Sequence, residues 1–280
     1  MKVLLVGVGL INGSFSLALK HRRDVEFGGC DLSKENLQRA EERGIISKQF
    51  SMDDGIEWAQ IILLGTPVDT IKKILPGILE QVRDDQLVVD FGSTKGAICE
   101  AVTSHPKRKN FLAAHPIAGT EHSGPDAAFP ELFNKQNLII CEREKTNELL
   151  TEDFLNLAKD AGFYFTFMTS AHEHDRHLAY ISHLSHISSF VLSNTVLQKE
   201  KDGEVILELA GSGFESTVRL AKSSPAMWSS IFIENKQSVL DSIKAYQDEL
   251  EQLRKSIEGE DIQRVSEYLE EGRKIRKILK

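Results

Sequence analysis

Three groups of residues in this sequence could do chemistry together. In the first, Gly7-Val-Gly9-Leu10-Ile11-Asn12-Gly13 closes an apolar run and opens a helix-forming one. A pyrophosphate site requires that order. Gly7 permits a tight turn, Gly9 lets the backbone approach phosphate oxygens, and the new helix directs free N–H groups at the anion. Asp31 ends the next apolar run, about 20 residues on, where a carboxylate can accept hydrogen bonds from an adenosine ribose. In the second group, His115 follows the apolar run 111–114 and so projects where a nicotinamide would lie. A neutral imidazole there is suited to take a proton from an alcohol near pH 7. The third is Arg219, set among Val218, Leu220 and Ala221, where a guanidinium calls for an anion such as a dicarboxylate. An ordinary glycine turn, a structural histidine before Pro116 and a structural ion pair at Arg219 are the plain alternatives.

The elements that must position these groups can be read from periodicity. Up to about residue 168, short apolar runs (2–6, 25–30, 61–64, 87–90, 111–114, 138–141 and 163–167) alternate with amphipathic segments (33–43, 70–82, 95–104 and 149–161). This pattern predicts a mostly parallel sheet covered on both faces, with ligands beyond the C-terminal strand ends. Gly7, Asp31, Thr66-Pro67 and Gly92-Ser93 then share one edge, with Pro67 fixing a turn alongside the cofactor. After Met168 the pattern becomes helical, over 171–199, 203–222, 225–257 and 261–279, with breaks at 201–203, 223–225 and 258–260. The expected fold is an α/β Rossmann-type domain, residues 1–168, followed by an all-helical domain, 169–280. The runs 190–192, 196–197 and 231–233 are too apolar for a small exposed bundle and predict burial against a second subunit.

Composition narrows the class. The chain has 280 residues, 41% hydrophobic, with a net charge of −8. No basic-aromatic patch supports nucleic-acid binding, no run approaches a membrane span, and no signal peptide is visible. Cys30, Cys99 and Cys141 lack metal-ligand spacing and suit reduced thiols in a cytoplasm. Five histidines fall between positions 172 and 186, and His183 and His186 share a helical face. A metal site is the sharp alternative there, but no carboxylate except Asp175 completes an evident ligand set, and Asp175 could instead orient a histidine. Asn12 stands where the third glycine of G-x-G-x-x-G is usual, which predicts looser helix-to-strand packing, with Gly13 partly covering the loss.

In combination, G-x-G-L-I-x-G-S at 7–14, D-x-G-S-x-K-G at 90–96, H-P-x-A-G-x-E-x-S-G at 115–124, S-H-L-x-H at 182–186 and R-x-A-x-x-x-P-x-x-W at 219–228 resemble the prephenate dehydrogenase family of tyrosine biosynthesis. Ser185 departs from the proline common between the paired histidines. The resemblance implies an NAD-dependent, cytoplasmic oxidoreductase that converts prephenate, or alternatively arogenate, by oxidative decarboxylation, as a homodimer. It also implies roles for particular residues. His115 would be the base and Ser93 would hold its ring, while His183, His186 and Arg219 would line the substrate pocket. Glu121 would gate the pocket or pair with a cation, a solvated loop carboxylate being the alternative. Gly7, Gly9, Leu10, Ile11, Asn12, Asp31, Thr66, Pro67 and Ser93 would form the NAD side. A β-hydroxyacid dehydrogenase would need a catalytic lysine on the first long helix after the sheet, and 171–198 contains none.

Overall fold

The computed structural model describes residues 1–201 and 206–278. The break expected at 201–203, and parts of the helices expected at 203–222 and 261–279, reach outside them. In chain order, the sheet half comprises β1 (Lys2–Val6), α1 (Leu10–Ala18), β2 (Glu26–Cys30), α2 (Lys34–Glu42), β3 (Lys48–Gln49), α3 (Met52–Trp58), β4 (Ile61–Leu64), α4 (Val68–Gln81), β5 (Leu87–Asp90), α5 (Gly96–Val102), β6 (Phe111–Pro116), β7 (Gln136–Cys141), α6 (Glu148–Asp160) and β8 (Phe163–Met168). The strands form one sheet in the order β3-β2-β1-β4-β5-β6-β7-β8. Every neighbouring pair is parallel except β6 with β7. Strand order reverses between β1 and β4, and ligands on such sheets sit in the crevice at that reversal.

Continuous apolar strands follow from burial on both faces. Leu5, Leu63 and Val89 pack into one core with Phe15 and Phe154. Their neighbours Leu4, Ile62 and Val88 pack into the other with Ile71 and Leu75 of α4, as a period-two strand requires. β3 and α3 were not expected. β3 is two exposed residues that pair through backbone with Gly28 and Gly29. α3 is a short helix started by Ser51, whose hydroxyl accepts from Asp54 N at 3.2 Å, and it buries Ile56 in the core.

The looser packing expected at Asn12 is not found. Its buried amide donates to the carbonyls of Gly7 (2.8 Å), Val6 (3.2 Å) and Leu63 (3.2 Å), which bolts α1 to β1 and β4. Contact is so close that a Cβ on Gly65 would lie 2.5 Å from the Asn12 side chain. Hydrogen bonding at Asn12 thus replaces the close backbone approach of a third glycine.

Beyond the sheet, α7 (Ala171–Leu178), a π-helical turn (Ala179–His183) and α8 (Leu184–Lys201) run on without interruption. A 3-10 turn (Leu207–Leu209), α9 (Ser212–Val218), a second 3-10 turn (Arg219–Lys222) and α10 (Pro225–Glu234) complete a compact unit, Met1–Asn235. Lys72 pairs with Glu234, and Ser230 donates to Asp69 at 2.8 Å, which docks α10 on α4. The single helix expected over 225–257 is two, because it breaks at Asn235. The remaining unit, Lys236–Lys280, pairs α11 (Lys236–Glu258) with α12 (Ile262–Arg273), and α12 buries no residue. Among the described residues no helix is long and apolar enough to cross a membrane. Cys99 and Cys141 are free and buried, and burial pushes the Cys141 thiol up to about 12.

Replacing Asn12 with alanine removes the side-chain donor shared by Gly7 O, Val6 O and Leu63 O, of which Val6 O still accepts from Gly65 N at 2.8 Å. An unsatisfied buried polar group costs about 1–3 kcal/mol, so the Asn12→Ala protein is expected to unfold at correspondingly lower urea concentration. An unchanged midpoint would remove Asn12 from its bolting role.

Candidate active site

A cleft of about 940 Å³ opens beyond the C-terminal ends of β1, β4, β5 and β6. Gly9, Leu10, Ile11, Thr66, Pro67, Ser93 and His115 line it from the sheet side. His183, His186, Arg219 and Trp228 line it from the helical side, and Glu121 belongs to a loop on its rim. Gly7, Asn12 and Asp31 are not in its wall. Gly7 makes the turn at φ +83°, where a Cβ would lie 3.0 Å from Gly65 O. Asp31 accepts from Val8 N at 3.0 Å and Ser33 N at 2.8 Å, so the carboxylate sits directly on the glycine turn.

These residues fit a dinucleotide. A Cβ on Gly9 would meet nothing within 4 Å, so the backbone is open to an approaching group at the start of α1. Thr66 Oγ1 is buried in the cleft wall without a hydrogen-bond partner, a hydroxyl that a ligand can satisfy.

His115 is buried at the end of β6. Its Nδ1 lies 2.8 Å from Nε2 of His174, and Nδ1 of His174 lies 2.8 Å from Oδ1 of Asp175. Both come from α7, which Ser170 starts by accepting from Glu173 N at 3.2 Å. The structure therefore gives the ring-holding position to His174. Ser93 lines the cleft but makes no hydrogen bond to the ring, because α7 reaches the buried side of His115 first. Asp175 is itself held by the backbone N–H groups of Lys95 (2.7 Å) and Gly96 (2.8 Å). Lys95 is fully buried and donates through Nζ to Asp90 and, at 2.7 Å, to the carbonyl of Ala114, the residue before His115. Burial foremost, with the nearby His174, Lys95 and His183, holds the His115 pKa well below the usual histidine range, so the ring is neutral at pH 7.

On the helical side, Asn235 Nδ2 donates to Asp175 O at 2.7 Å and lies 3.2 Å from His183 Nδ1. This contact accounts for the helix break at Asn235. It also leaves Nε2–H as the remaining donor of His183. His186 Nδ1 is 3.1 Å from Ser182 O, and its ring stacks on Trp228 with centroids 3.5 Å apart. Trp228 is both buried and part of the cleft wall, with its Nε1 unpartnered. Arg219 is exposed in the cleft and pairs with no described carboxylate. Ser189 fixes the turn that carries it, donating to Thr217 O and accepting from Ala221 N, both at 3.0 Å. Among the described residues no cluster of three His, Cys, Asp or Glu could hold a metal.

The nucleotide-binding domain of prephenate dehydrogenase matches residues 15–166, and the prephenate dehydrogenase dimerization domain matches 170–271. The chain belongs to the prephenate dehydrogenase family. Prephenate dehydrogenase of Bacillus subtilis is 32% identical over 98% of this chain and 75% of its own. Cyclohexadienyl dehydrogenase of Zymomonas mobilis is 27% identical over 99% and 96%. A crystal structure of prephenate dehydrogenase from Aquifex aeolicus in complex with hydroxyphenyl propionate and NAD+ superposes with a TM-score of 0.92, at 29% identity, over 100% of this chain and 98% of that one. Arogenate dehydrogenase of Synechocystis superposes with a TM-score of 0.81 at 26% identity, over 99% of each chain.

Ser189 and Asn235 escaped the reading of the sequence, whereas Lys95, in the 90–96 motif, and His174, among the five histidines of 172–186, appear there without a role. Ala171, His174 and Leu178 recur on the apolar stripe of α7 and are all buried.

The buried histidines couple folding to pH. His115, His174 and His183 all have lowered pKa values, with burial the largest cause, and His183 is pushed down to about 4. Unfolded histidines take up protons below about pH 6.5, before the folded ones do. The unfolded chain then binds more protons, and stability falls as pH drops. Stability is expected to be full above about pH 6.5 and to be lost progressively towards pH 4. Urea midpoints at pH 7.5 and 5.0 check this, and equal midpoints would show that the rings are solvated.

Proposed function

We propose that this protein catalyses the NAD-dependent oxidative decarboxylation of prephenate to 4-hydroxyphenylpyruvate in tyrosine biosynthesis. One observation carries the reading: the neutral base His115, from the sheet, and the cation Arg219, from the helices and paired with no described carboxylate, open onto one cleft with the glycine turn. The relatives named above agree with it. Residues 1–168 would carry the dinucleotide, and 169–280 would carry the substrate contacts and a homodimer interface. Exposed Val191, Leu197 and Ile233 support that interface, as does the dimerization-domain match over 170–271, whereas Ile231, Phe190 and Phe232 of the same runs pack into this chain's own core. A cytoplasmic location goes with this biosynthetic role.

Bound NAD supplies the acceptor for the hydride that leaves C4 of the substrate. Gly9, Leu10 and Ile11, at the start of α1, present backbone N–H groups to its pyrophosphate. Asp31 accepts from a ribose and, being anionic, disfavours a 2′-phosphate. His115 accepts the C4 hydroxyl proton as a carbonyl forms there. That carbonyl then takes up the electron pair of the bond between C1 and its carboxylate. Carbon dioxide leaves, the ring becomes aromatic, and the oxygen regains its proton. Aromatisation drives the step, so the protein's task is to position the reactants and hold two carboxylates. Arg219 can grip a carboxylate with a two-pronged contact, and His183 Nε2–H offers a second donor. Ser93 sits in the same cleft with a free hydroxyl, and Glu121 stands on its rim near Arg219.

A second reading, arogenate as substrate, has a specific observation in its favour. His186 faces Ser182 O through Nδ1, and burial foremost holds its pKa down. The neutral ring then offers an acceptor at Nε2, which suits an ammonium better than a keto group.

His115→Asn is expected to lower turnover by roughly 10²–10⁴ while NAD binding is kept; near-normal turnover would remove His115 from the base role. Arg219→Ala is expected to raise the KM for prephenate at least tenfold, about 1.4 kcal/mol of lost binding, and an unchanged KM would sink its assignment. Assaying prephenate and arogenate, each with NAD and NADP, separates the two readings. Higher kcat/KM on arogenate would overturn the first.

A further inference from the structure

The proposed chemistry needs His115 in one tautomer. A neutral imidazole carries one N–H and one lone pair, and only the lone pair can take a proton. His115 Nδ1 faces a wholly buried neighbour, His174, so the other nitrogen, Nε2, must be the base. The proton on Nδ1 therefore has to be specified by something beyond His115 itself.

The surroundings specify it in order. Both oxygens of Asp175 already accept backbone N–H groups, from Lys95 and Gly96. A carboxylate in that position acts as an acceptor towards His174 as well, so the proton between them sits on His174 Nδ1. Neutral His174 then presents a lone pair at Nε2. Across 2.8 Å, the only complementary group is N–H at His115 Nδ1. Gly96 makes this packing possible, since a Cβ there would lie 2.9 Å from Asp175 Oδ2. The K-G pair that closes the 90–96 motif thereby acquires a purpose: Lys95 and Gly96 orient the carboxylate that orients the histidines.

We propose that His174, held by Asp175, is the positioning residue for the base, accepting the Nδ1–H of His115 and leaving Nε2 as its lone pair. When the substrate's O–H bond breaks, the new N–H bond forms at Nε2. The positive charge that appears on His115 is then met by the neutral acceptor His174, with no second proton moved. This proposal deepens the dehydrogenase reading and rests on His115 being its base.

The test has two parts, so that failure of the relay and failure of the enzyme reading are distinguishable. Ring nitrogen shifts of the 15N-histidine-labelled wild-type protein at pH 7.5 report the His115 tautomer without any turnover, with the His115→Asn spectrum assigning its signals. Protonated Nδ1 and unprotonated Nε2 are expected, and the opposite tautomer overturns the proposal even if prephenate is turned over. In the second part, His174→Leu is expected to lower kcat for prephenate about 10²-fold, as loss of a proper base does, with KM within about twofold. His174→Gln can place its amide oxygen where Nε2 stood and is expected to recover a large part of kcat. A folded His174→Leu protein with wild-type kcat, or a glutamine variant no better than leucine, overturns the relay. Should wild-type protein turn over neither prephenate nor arogenate, the enzyme reading falls and the nitrogen shifts alone decide the tautomer.

Discussion

The buried pair Asp90–Lys95 is the constraint on which the site depends. Neither side chain touches solvent, so each charge is tolerable only because the other is there. Removing one partner of such a pair typically costs about 3–5 kcal/mol, because the survivor stays buried and uncompensated. The ammonium also binds the carbonyl of Ala114. One cation thus ties the end of β5, the start of α5 and the residue that precedes His115. The backbone N–H groups at that same helix start then seize Asp175, which draws α7 onto the sheet and delivers His174. Geometry at the base is fixed by this chain of contacts more than by the loop that follows β6.

Much of the architecture is legible in the residues themselves. Strands buried on both faces leave uninterrupted apolar runs, and β1, β4 and β5 lie where those runs lie. β3 and α3 left no such mark: β3 is two exposed residues paired through backbone, and α3 is seven residues long, too short to show a helical period. The division of 225–257 at Asn235 is likewise invisible locally, since helix propensity runs straight through. The amide that breaks the helix is recruited by Asp175 and His183, about 60 and 52 residues away in sequence. The same limit applied to His115. Spacing arguments see residues three or four apart, and its partner lies 59 positions on. Asp175 was recognisable as a carboxylate able to orient a histidine, but the histidine it orients is its own neighbour, His174, and not one a turn or more along the helix.

The cleft needs two opposite electrostatic conditions a short way apart. Its base must be uncharged before the reaction, and its binding groups must attract carboxylates. Burial separates the two. His115 and His183 are shut away from water, which keeps their rings neutral, whereas Arg219 stands at the exposed end, where a guanidinium keeps its charge. His186 lies between these extremes, half-buried against Trp228.

The π-helical turn between α7 and α8 adds a different kind of control. An α-helix rotates about 100° with each residue, and a π turn spends one extra residue without the matching advance. The turn spans Ala179–His183, so its register decides that His183 meets Asn235 while His186 meets Trp228. Deleting a single amino acid there would restore regular winding and swing the downstream ring away from the cleft, with every strand left in place. Chain length at this one spot, as opposed to side-chain identity, is therefore a dial by which descendants of this scaffold can re-aim their binding groups.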